Sequence, residues 1–366
     1  MGEFYIDRIQ TACYFRGWTW TELAARANIS DKSLRLLRTG VAPFTNEYAE
    51  KLSRAFNLPL SFFILHDEIA PETQLTFRTP QRSSKVRKRQ VATEYSLLSA
   101  TVQRVAKMAY VEKKNLWLNA VAPINNPTYA EIERIAQEAR LVLGVEKNGP
   151  VPNVTRAFER GGISIAPLHE NKNDPEIMDG VSNPQLTLPV IGYLKHKESG
   201  DRQRFTIAHE AGHIILQKNR KLLSKKVQEE EANYFASAFL FPEEDARHIF
   251  TPSMDLMDYV RLKATWGVSI AAMITRASRL GIINQERQRS LMVQLSARHW
   301  RKSEPVHVEQ EKPILLKQMV GSSLGTIIDA THVEASAISI ESFLGLPFNL
   351  VSDWCQGLVK TDNFDL

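Results

Sequence analysis

Two histidines four residues apart, in the stretch His209-Glu210-Ala211-Gly212-His213, constrain the fold of this chain more than any other feature of its sequence. On a helix, residues with this spacing lie on one face, so both imidazoles can point at one ion. Glu210 would lie at the rim of that site, where a carboxylate can take a proton from water that a metal has made more acidic. The surrounding residues, 205–216, are largely apolar and predict a buried helix, in which these polar groups are costly without a function. The sequence therefore predicts two metal ligands on one helix, although strings of this type also occur by chance.

A second helix, predicted over 227–241, supplies candidates for the third ligand that a catalytic zinc site requires. Three glutamates, Glu229, Glu230 and Glu231, lie near its start. Glu229 lies at the edge of the apolar face and is the predicted ligand, with Asn233 one turn later as a partner that orients a ligand histidine. Glu231 is the alternative ligand. Otherwise Glu230 and Glu231 are expected in solvent, and a wholly solvated acidic run remains open.

The first 65 residues carry apolar side chains at helical spacing, separated by turn signals, and predict a small bundle of four or five helices. Gly17 is expected to end the first helix, Thr19 or Thr21 to cap the second, and Ser30 to cap the third. The third helix would bury leucines on one side and leave polar and basic residues on the other. The residues expected on that outer face are Ser30, Asp31, Lys32, Ser33, Arg35 and Arg38.

The rest of the chain mixes helical and extended patterns. Further helices are predicted over about 91–118, 129–143, 154–160 and 204–217. Strands are predicted over 163–166 and 186–194, and Pro189 in the second predicts an edge strand. The predicted parts of the chain are a helical bundle (1–65), a linker and helical connector (66–127), a domain with the histidine motif (128–305) and a C-terminal region of unknown role (306–366).

Composition and charge narrow the classes of function. An apolar share of 43% and a charged share of 24% are those of a globular chain, and two cysteines, Cys13 and Cys355, fit a reducing compartment. No apolar run is long enough to span a bilayer and no signal-peptide pattern opens the chain, so we expect a cytoplasmic protein without a membrane partner. The first 110 residues hold 16 basic and 10 acidic residues, whereas the remainder is nearly balanced. A polyanion would therefore bind the N-terminal part, where residues 78–89 include six basic side chains, unless these charges only face solvent.

Residues 204–213, the glutamate-rich start of the second helix and Phe241-Pro242 together resemble the ImmA/IrrE family of metallopeptidases. Weaker parts of the resemblance lie at Gly161-Gly162-Ile163, Met178-Asp179-Gly180, Trp266-Gly267-Val268-Ser269, Arg276, Leu280-Gly281, Trp300-Arg301 and Glu304-Pro305. The resemblance covers about half of the chain. It implies a gluzincin-like fold in which His209, His213 and Glu229 bind Zn²⁺ and Glu210 acts as general base. It also implies cleavage of a repressor protein after a stress or mobile-element signal. In that scheme the edge strand near 188–194 would pair with an extended substrate segment.

The N-terminal bundle resembles an XRE/Cro-type helix-turn-helix, through residues 20–24, 29–34 and Arg38-Thr39-Gly40. This resemblance implies that the third helix enters the major groove of double-stranded operator DNA. The residues implied as DNA contacts are Ser30, Lys32, Ser33, Arg35 and Arg38. The bundle departs from this class in three ways. The glutamine common at the start of the second helix is absent, with Thr21 nearest, and Leu36 and Leu37 make the third helix bulkier than usual. Asp31 lies where it would face phosphate. A bundle used for dimerisation or for binding a protein is the alternative, and a homodimer is compatible with either interpretation.

These features predict a mainly α fold with a small β-sheet: a five-helix XRE/Cro-like bundle, a gluzincin-like α+β metallopeptidase domain and a helical C-terminal region. The predicted function is that of a DNA-binding zinc metallo-endopeptidase that cleaves a repressor or antitoxin. One alternative is a helix-turn-helix regulator whose peptidase-like domain senses a ligand or metal, and another is an antitoxin-like partner of a toxin. Glu210 favours the enzyme, because metal binding alone would need only the ligands.

Overall fold

Helices dominate the fold, and small mixed sheets complete it. The computed structural model describes residues 3–66, 74–77, 84–109, 116–169, 179–194, 199–220, 224–301, 303–329 and 331–361. The predicted mainly α architecture is confirmed over these residues, with helix ends that differ from the predicted ones by a few positions. Within them, no helix is long and apolar enough to cross a membrane.

The N-terminal helices begin and end at the turn signals of the sequence. They are α1 (Asp7–Arg16), α2 (Trp20–Ala27), α3 (Asp31–Arg38), α4 (Asn46–Phe56) and a 3₁₀ helix (Leu60–Phe63). Gly17 ends α1 with a φ of +71°, a left-handed conformation that favours glycine. Thr19, not Thr21, caps α2, since its hydroxyl accepts from the amide of Glu22 while the Glu22 carboxylate accepts from the amide of Thr19. Ser30 caps α3 as predicted.

A long helix, α5 (Lys85–Met108), begins earlier than the predicted helix, at the Ser84 cap, and ends before residue 110. It is buried along most of its length and packs against α1 and against the first sheet. Tyr95 in its middle donates a hydrogen bond of 2.9 Å to the carbonyl of Val190. The segment predicted as a connector is thus part of the core, whereas residues 78–83 of the basic run lie outside the described residues. The next helices are α6 (Leu116–Val121), α7 (Tyr129–Val142) and α8 (Val154–Arg160).

The first sheet contains β1 (Thr76–Phe77), β2 (Ser164–Leu168), β3 (Gly180–Ser182) and β4 (Val190–Leu194). Their order is β1-β3-β4-β2, with β4 parallel to β2 and antiparallel to β3. Because β4 has a partner on each side, the prediction that it is an edge strand open to a peptide is wrong. Pro189 precedes β4 instead of lying in it, and its carbonyl accepts a hydrogen bond of 3.0 Å from the amide of Ser164.

This sheet separates two hydrophobic clusters. Ile191 and Tyr193 of β4 belong to one cluster, and Val190 and Leu194 belong to the other, which includes α5 and the N-terminal helices. Because both faces of the strand are covered, all of its residues are buried. The first cluster also contains α9 (Gly200–Gln217) and α10 (Lys225–Leu240), which pack against each other and carry the predicted ligands. It continues through α11 (Glu243–Ile249), α12 (Leu256–Trp266), α13 (Ile270–Arg279) and α14 (Gln285–Ala297).

The C-terminal region is folded and packs against the N-terminal helices. Its elements are α15 (Leu315–Leu324), β5 (Gly325–Ile327), β6 (Val333–Ser336), α16 (Ala337–Leu344), α17 (Phe348–Trp354) and β7 (Val359–Thr361), with the sheet order β5-β6-β7. Ser61 donates a hydrogen bond to the carbonyl of Glu341, and Gly345 lies against the backbone of Phe62. The two ends of the chain therefore share one hydrophobic cluster. The four-part division remains a prediction, and this cluster extends across its boundaries.

Candidate metal centre

His209 and His213 lie on one face of α9 and have no exposed surface. One turn further along the helix, the side-chain amide of Gln217 lies 2.6 Å from Nδ1 of His213. The atom that faces the ring is the amide nitrogen of Gln217; turned by 180°, the amide would accept the Nδ1 proton through its oxygen and leave Nε2 of His213 free to bind an ion. The two Nε2 atoms are 3.0 Å apart, so both rings converge on one point.

Gly212 allows the partner helix to approach this face of α9. A Cβ atom at Gly212 would lie 3.1 Å from the Phe235 ring and 3.2 Å from the backbone of Ala232, so a larger residue would push α10 away. The close packing brings Glu229 of α10 to the histidines. Its carboxylate oxygens lie 3.4 Å from Nε2 of His209 and 3.3 Å from Nε2 of His213.

The spacing of these three groups fits a metal ion. A tetrahedral zinc ion with bonds of about 2.0–2.1 Å holds its ligand atoms about 3.3 Å apart. The observed separations of 3.0, 3.3 and 3.4 Å are close to that value. Burial acts to raise the pKa of Glu229, but hydrogen bonds with His209 and His213 outweigh it and hold that pKa well below its usual range. A charged carboxylate and two imidazoles therefore form a possible metal site.

Glu210 lies beside this cluster and is held from the side of β3. Ser182 donates a hydrogen bond of 2.6 Å to Oε2 of Glu210, and Oγ1 of Thr76 lies 2.7 Å from the same serine hydroxyl. A Cβ atom at Gly180 would lie 2.8 Å from Cγ and Oε1 of Glu210, so β3 can pass this carboxylate only with glycine there. Sequence reasoning missed Ser182 and Thr76, since they lie 106 residues apart and meet only by strand pairing. The nearest signal was Asp179-Gly180, which belonged to the family resemblance.

The segment that builds this cluster matches a known family. Residues 166–278 match Peptidase_M78, the IrrE N-terminal-like domain. The match begins in β2, ends in α13 and contains the three candidate ligands together with Glu210. It confirms the ImmA/IrrE resemblance for this part of the chain and supports a regulatory metallopeptidase-type domain. A comparison with curated proteins found no match.

The remaining predicted residues of α10 have different surroundings. Glu230 is exposed, as expected. The expectation of a solvated Glu231 is wrong, because its side chain is buried and forms an ion pair with Arg220. This pairing also makes Glu231 a poor alternative ligand. Asn233 forms no hydrogen bond with His209 or His213 among the described residues, so its orienting role remains a prediction. The side-chain amide that contacts a candidate ligand is that of Gln217.

The predicted DNA-contact residues lie on or beside α3. Lys32, Arg35 and Arg38 are exposed there, while Leu34 and Leu37 face the core. The guanidinium of Arg38 lies 5.3 Å from the ring centroid of Trp20.

The two serines of this set serve the start of α3. The hydroxyl of Ser30 accepts a hydrogen bond of 3.1 Å from the Ser33 amide, and the two hydroxyls are 2.8 Å apart. The structure thus presents a helix with three exposed basic residues on its outer face.

Proposed function

We propose that the domain formed around α9 and α10 is a zinc-dependent endopeptidase. One observation carries the proposal: His209, His213 and Glu229 converge on one point, and Glu210 lies next to them. A zinc ion bound there would supply Lewis acidity, which lowers the pKa of water and polarises a peptide carbonyl.

Glu210 performs the proton transfers in this proposal. Its carboxylate takes a proton from the attacking water and returns it to the amide nitrogen of the leaving peptide. Ser182 fixes the position of this carboxylate, and Gln217 fixes the ring of His213. Because both contacts exist before a substrate binds, the reacting groups need little rearrangement.

The metal content of the full-length protein tests the first half of the proposal. We expect near one zinc per chain in the wild type and little in His213→Ala, measured by mass spectrometry after zinc loading and desalting. His248→Ala is the matched control, since His248 is an exposed histidine of α11 outside the cluster. Equal zinc in all three proteins would contradict the assignment of the site.

Proteolysis tests the second half. We propose a protein substrate of the repressor or antitoxin class, as the family resemblance implies. Cells that express the wild type should contain new protein N-termini that are absent from cells expressing Glu210→Gln, although both variants bind zinc. Identical N-termini in the two cell populations would favour the alternative, a regulator whose peptidase-like domain senses a metal or ligand and cuts nothing.

We further propose that the N-terminal helices bind double-stranded operator DNA through α3. The exposed basic face of Lys32, Arg35 and Arg38 supports this proposal, because such side chains contact phosphates and guanine edges in the major groove. Selection of the operator from a random duplex library, followed by gel shifts, provides the test. Arg35→Ala should weaken operator binding, whereas Arg289→Ala, which removes an exposed arginine of α14, should not. A bundle that binds a protein or a second copy of the chain instead would select no duplex.

A further inference from the structure

A cleft of about 840 Å³ is lined in part by residues of α9 and α10, the two helices that carry the proposed zinc ligands. Phe205 and Asn233 are part of its wall. Phe205 precedes His209 by one turn of α9, and Asn233 follows Glu229 by one turn of α10, so each shares a helix face with a proposed ligand. A peptide held at the metal site would therefore place neighbouring side chains in this cleft.

The acidic residues of the cleft share one buried lysine. Lys263, whose side chain is 1% exposed, lies 2.7 Å from the carboxylate of Asp201 and 2.6 Å from that of Glu304. Glu304 also accepts a hydrogen bond of 3.1 Å from the amide of Ile270. These three charged side chains hold α9, α12 and the segment after α14 together, and neither carboxylate is left to bind a cation.

Not all basic residues of the cleft form an ion pair with a carboxylate. Arg202 forms an ion pair of 2.7 Å with Asp179. Arg279, at the end of α13, and Arg301 are both exposed, and neither forms an ion pair within the part of the chain that the structure describes. The guanidinium of Arg279 lies 5.9 Å from the ring centroid of Tyr234, which holds it near α10. The cleft wall therefore contains two exposed arginines that have no ion-pair partner among the described residues.

We propose that this cleft is a substrate subsite for a carboxylate group, and that Arg279 and Arg301 select it. The inference rests on the proposed peptidase function. A guanidinium offers two parallel N–H donors, a geometry that matches a carboxylate. In a peptide, that group is either the side chain of an aspartate or glutamate, or the free C-terminus. The Trp300-Arg301 and Glu304-Pro305 motifs thereby acquire roles in the walls of a specificity pocket.

Binding of short peptides to zinc-loaded Glu210→Gln tests the subsite without turnover. The probes are fluorescein-labelled peptide pools in which one position is fixed as glutamate or as glutamine, each made with a free and with an amidated C-terminus. At one position, or at the C-terminus, the carboxylate pool should bind about fivefold more tightly for each arginine that contacts it, as measured by fluorescence anisotropy. The position that responds distinguishes an acidic side chain from a free C-terminus.

Arginine variants then assign the effect. In the same Glu210→Gln background, Arg279→Gln and Arg301→Gln should each bring the ratio of the two dissociation constants toward one. Arg289→Gln, an equal charge change on an exposed arginine outside the cleft wall, should leave the ratio unchanged. Arg279→Glu should turn the preference toward a pool with lysine fixed at that position.

The outcomes separate the two proposals. Equal binding of the glutamate and glutamine pools, or a preference that survives both arginine variants, would overturn the subsite and leave the peptidase proposal intact. If no pool binds at all, the cleft is not a substrate subsite, and the peptidase proposal loses support as well.

Discussion

Replacement of Glu231, at the acidic start of α10, tests whether this carboxylate has a structural or a metal-binding role. The Glu231 carboxylate pairs with both terminal nitrogens of the Arg220 guanidinium, and the side chains of Arg220 and Glu231 are 3% and 8% exposed. Glu231→Ala would leave that guanidinium buried without its carboxylate, a change that typically lowers the free energy of unfolding by about 3–5 kcal/mol. Because Arg220 keeps hydrogen bonds to the Leu216 carbonyl and to Asn126, we expect the lower end, about 3 kcal/mol.

The assay combines urea unfolding of the metal-free protein with the zinc content of the reloaded protein. Glu231→Ala should unfold at a lower urea concentration and still bind near one zinc per chain. Glu229→Ala, the matched control on the same helix, should lose zinc but unfold closer to the wild-type midpoint than Glu231→Ala does, since the Glu229 side chain is 37% exposed and that of Glu231 is 8% exposed. Loss of zinc from Glu231→Ala at unchanged stability would refute the placement of Glu229 as the ligand.

Three further predictions follow from single contacts. Ser182→Ala should retain zinc and lower the kcat of peptide cleavage by about tenfold, because Glu210 loses a positioning hydrogen bond worth about 1.4 kcal/mol. An unchanged kcat would contradict this role of Ser182. A hydrogen bond to Glu94, together with Asp353, raises the pKa of His169 from 6.5 to about 9. Its stabilisation should therefore be complete below pH 6.5 and disappear as the pH rises through 9, a dependence of the urea midpoint that His169→Gln should reduce. Burial raises the pKa of Cys13 and of Cys355 to about 12, so a thiol reagent should label either cysteine only after unfolding.

Features that depend only on residues close together in the chain were predictable from the sequence. Gly17 and Ser30 mark helix ends because a left-handed glycine and a capping hydroxyl act within one turn. The convergence of His209 and His213 follows in the same way from the pitch of a helix. The prediction of Glu229 as a ligand also required the orientation of α10 against α9. The position of Glu229 at the edge of the apolar face of α10 indicated that orientation.

Features that depend on distant segments were not predictable in this way. Pro189 suggested an edge strand, yet it lies outside β4, and the partner strands on both sides come from other parts of the chain. Glu231 was expected in solvent because its partner, Arg220, lies outside α10, in the segment that follows α9. Helical periodicity indicates which face of a helix a side chain occupies. It does not indicate whether a cationic side chain from another segment lies against that face.

In the proposed peptidase, the position of β1 would link substrate access to the orientation of Glu210. An extended peptide that adds to this sheet next to Glu210 must pair with the outer edge of β3, and Thr76–Phe77 already occupies that edge. A pairing of two residues is marginal by itself, so its stability depends on the Thr76 hydroxyl, whose single proton is shared between the carbonyl and the hydroxyl of Ser182 and is worth about 1 kcal/mol. A peptide that replaces β1 would remove the contact between Thr76 and Ser182, the residue that holds Glu210. In the proposed peptidase, entry of a substrate at this edge would therefore be coupled to the hydrogen bonds that hold Glu210.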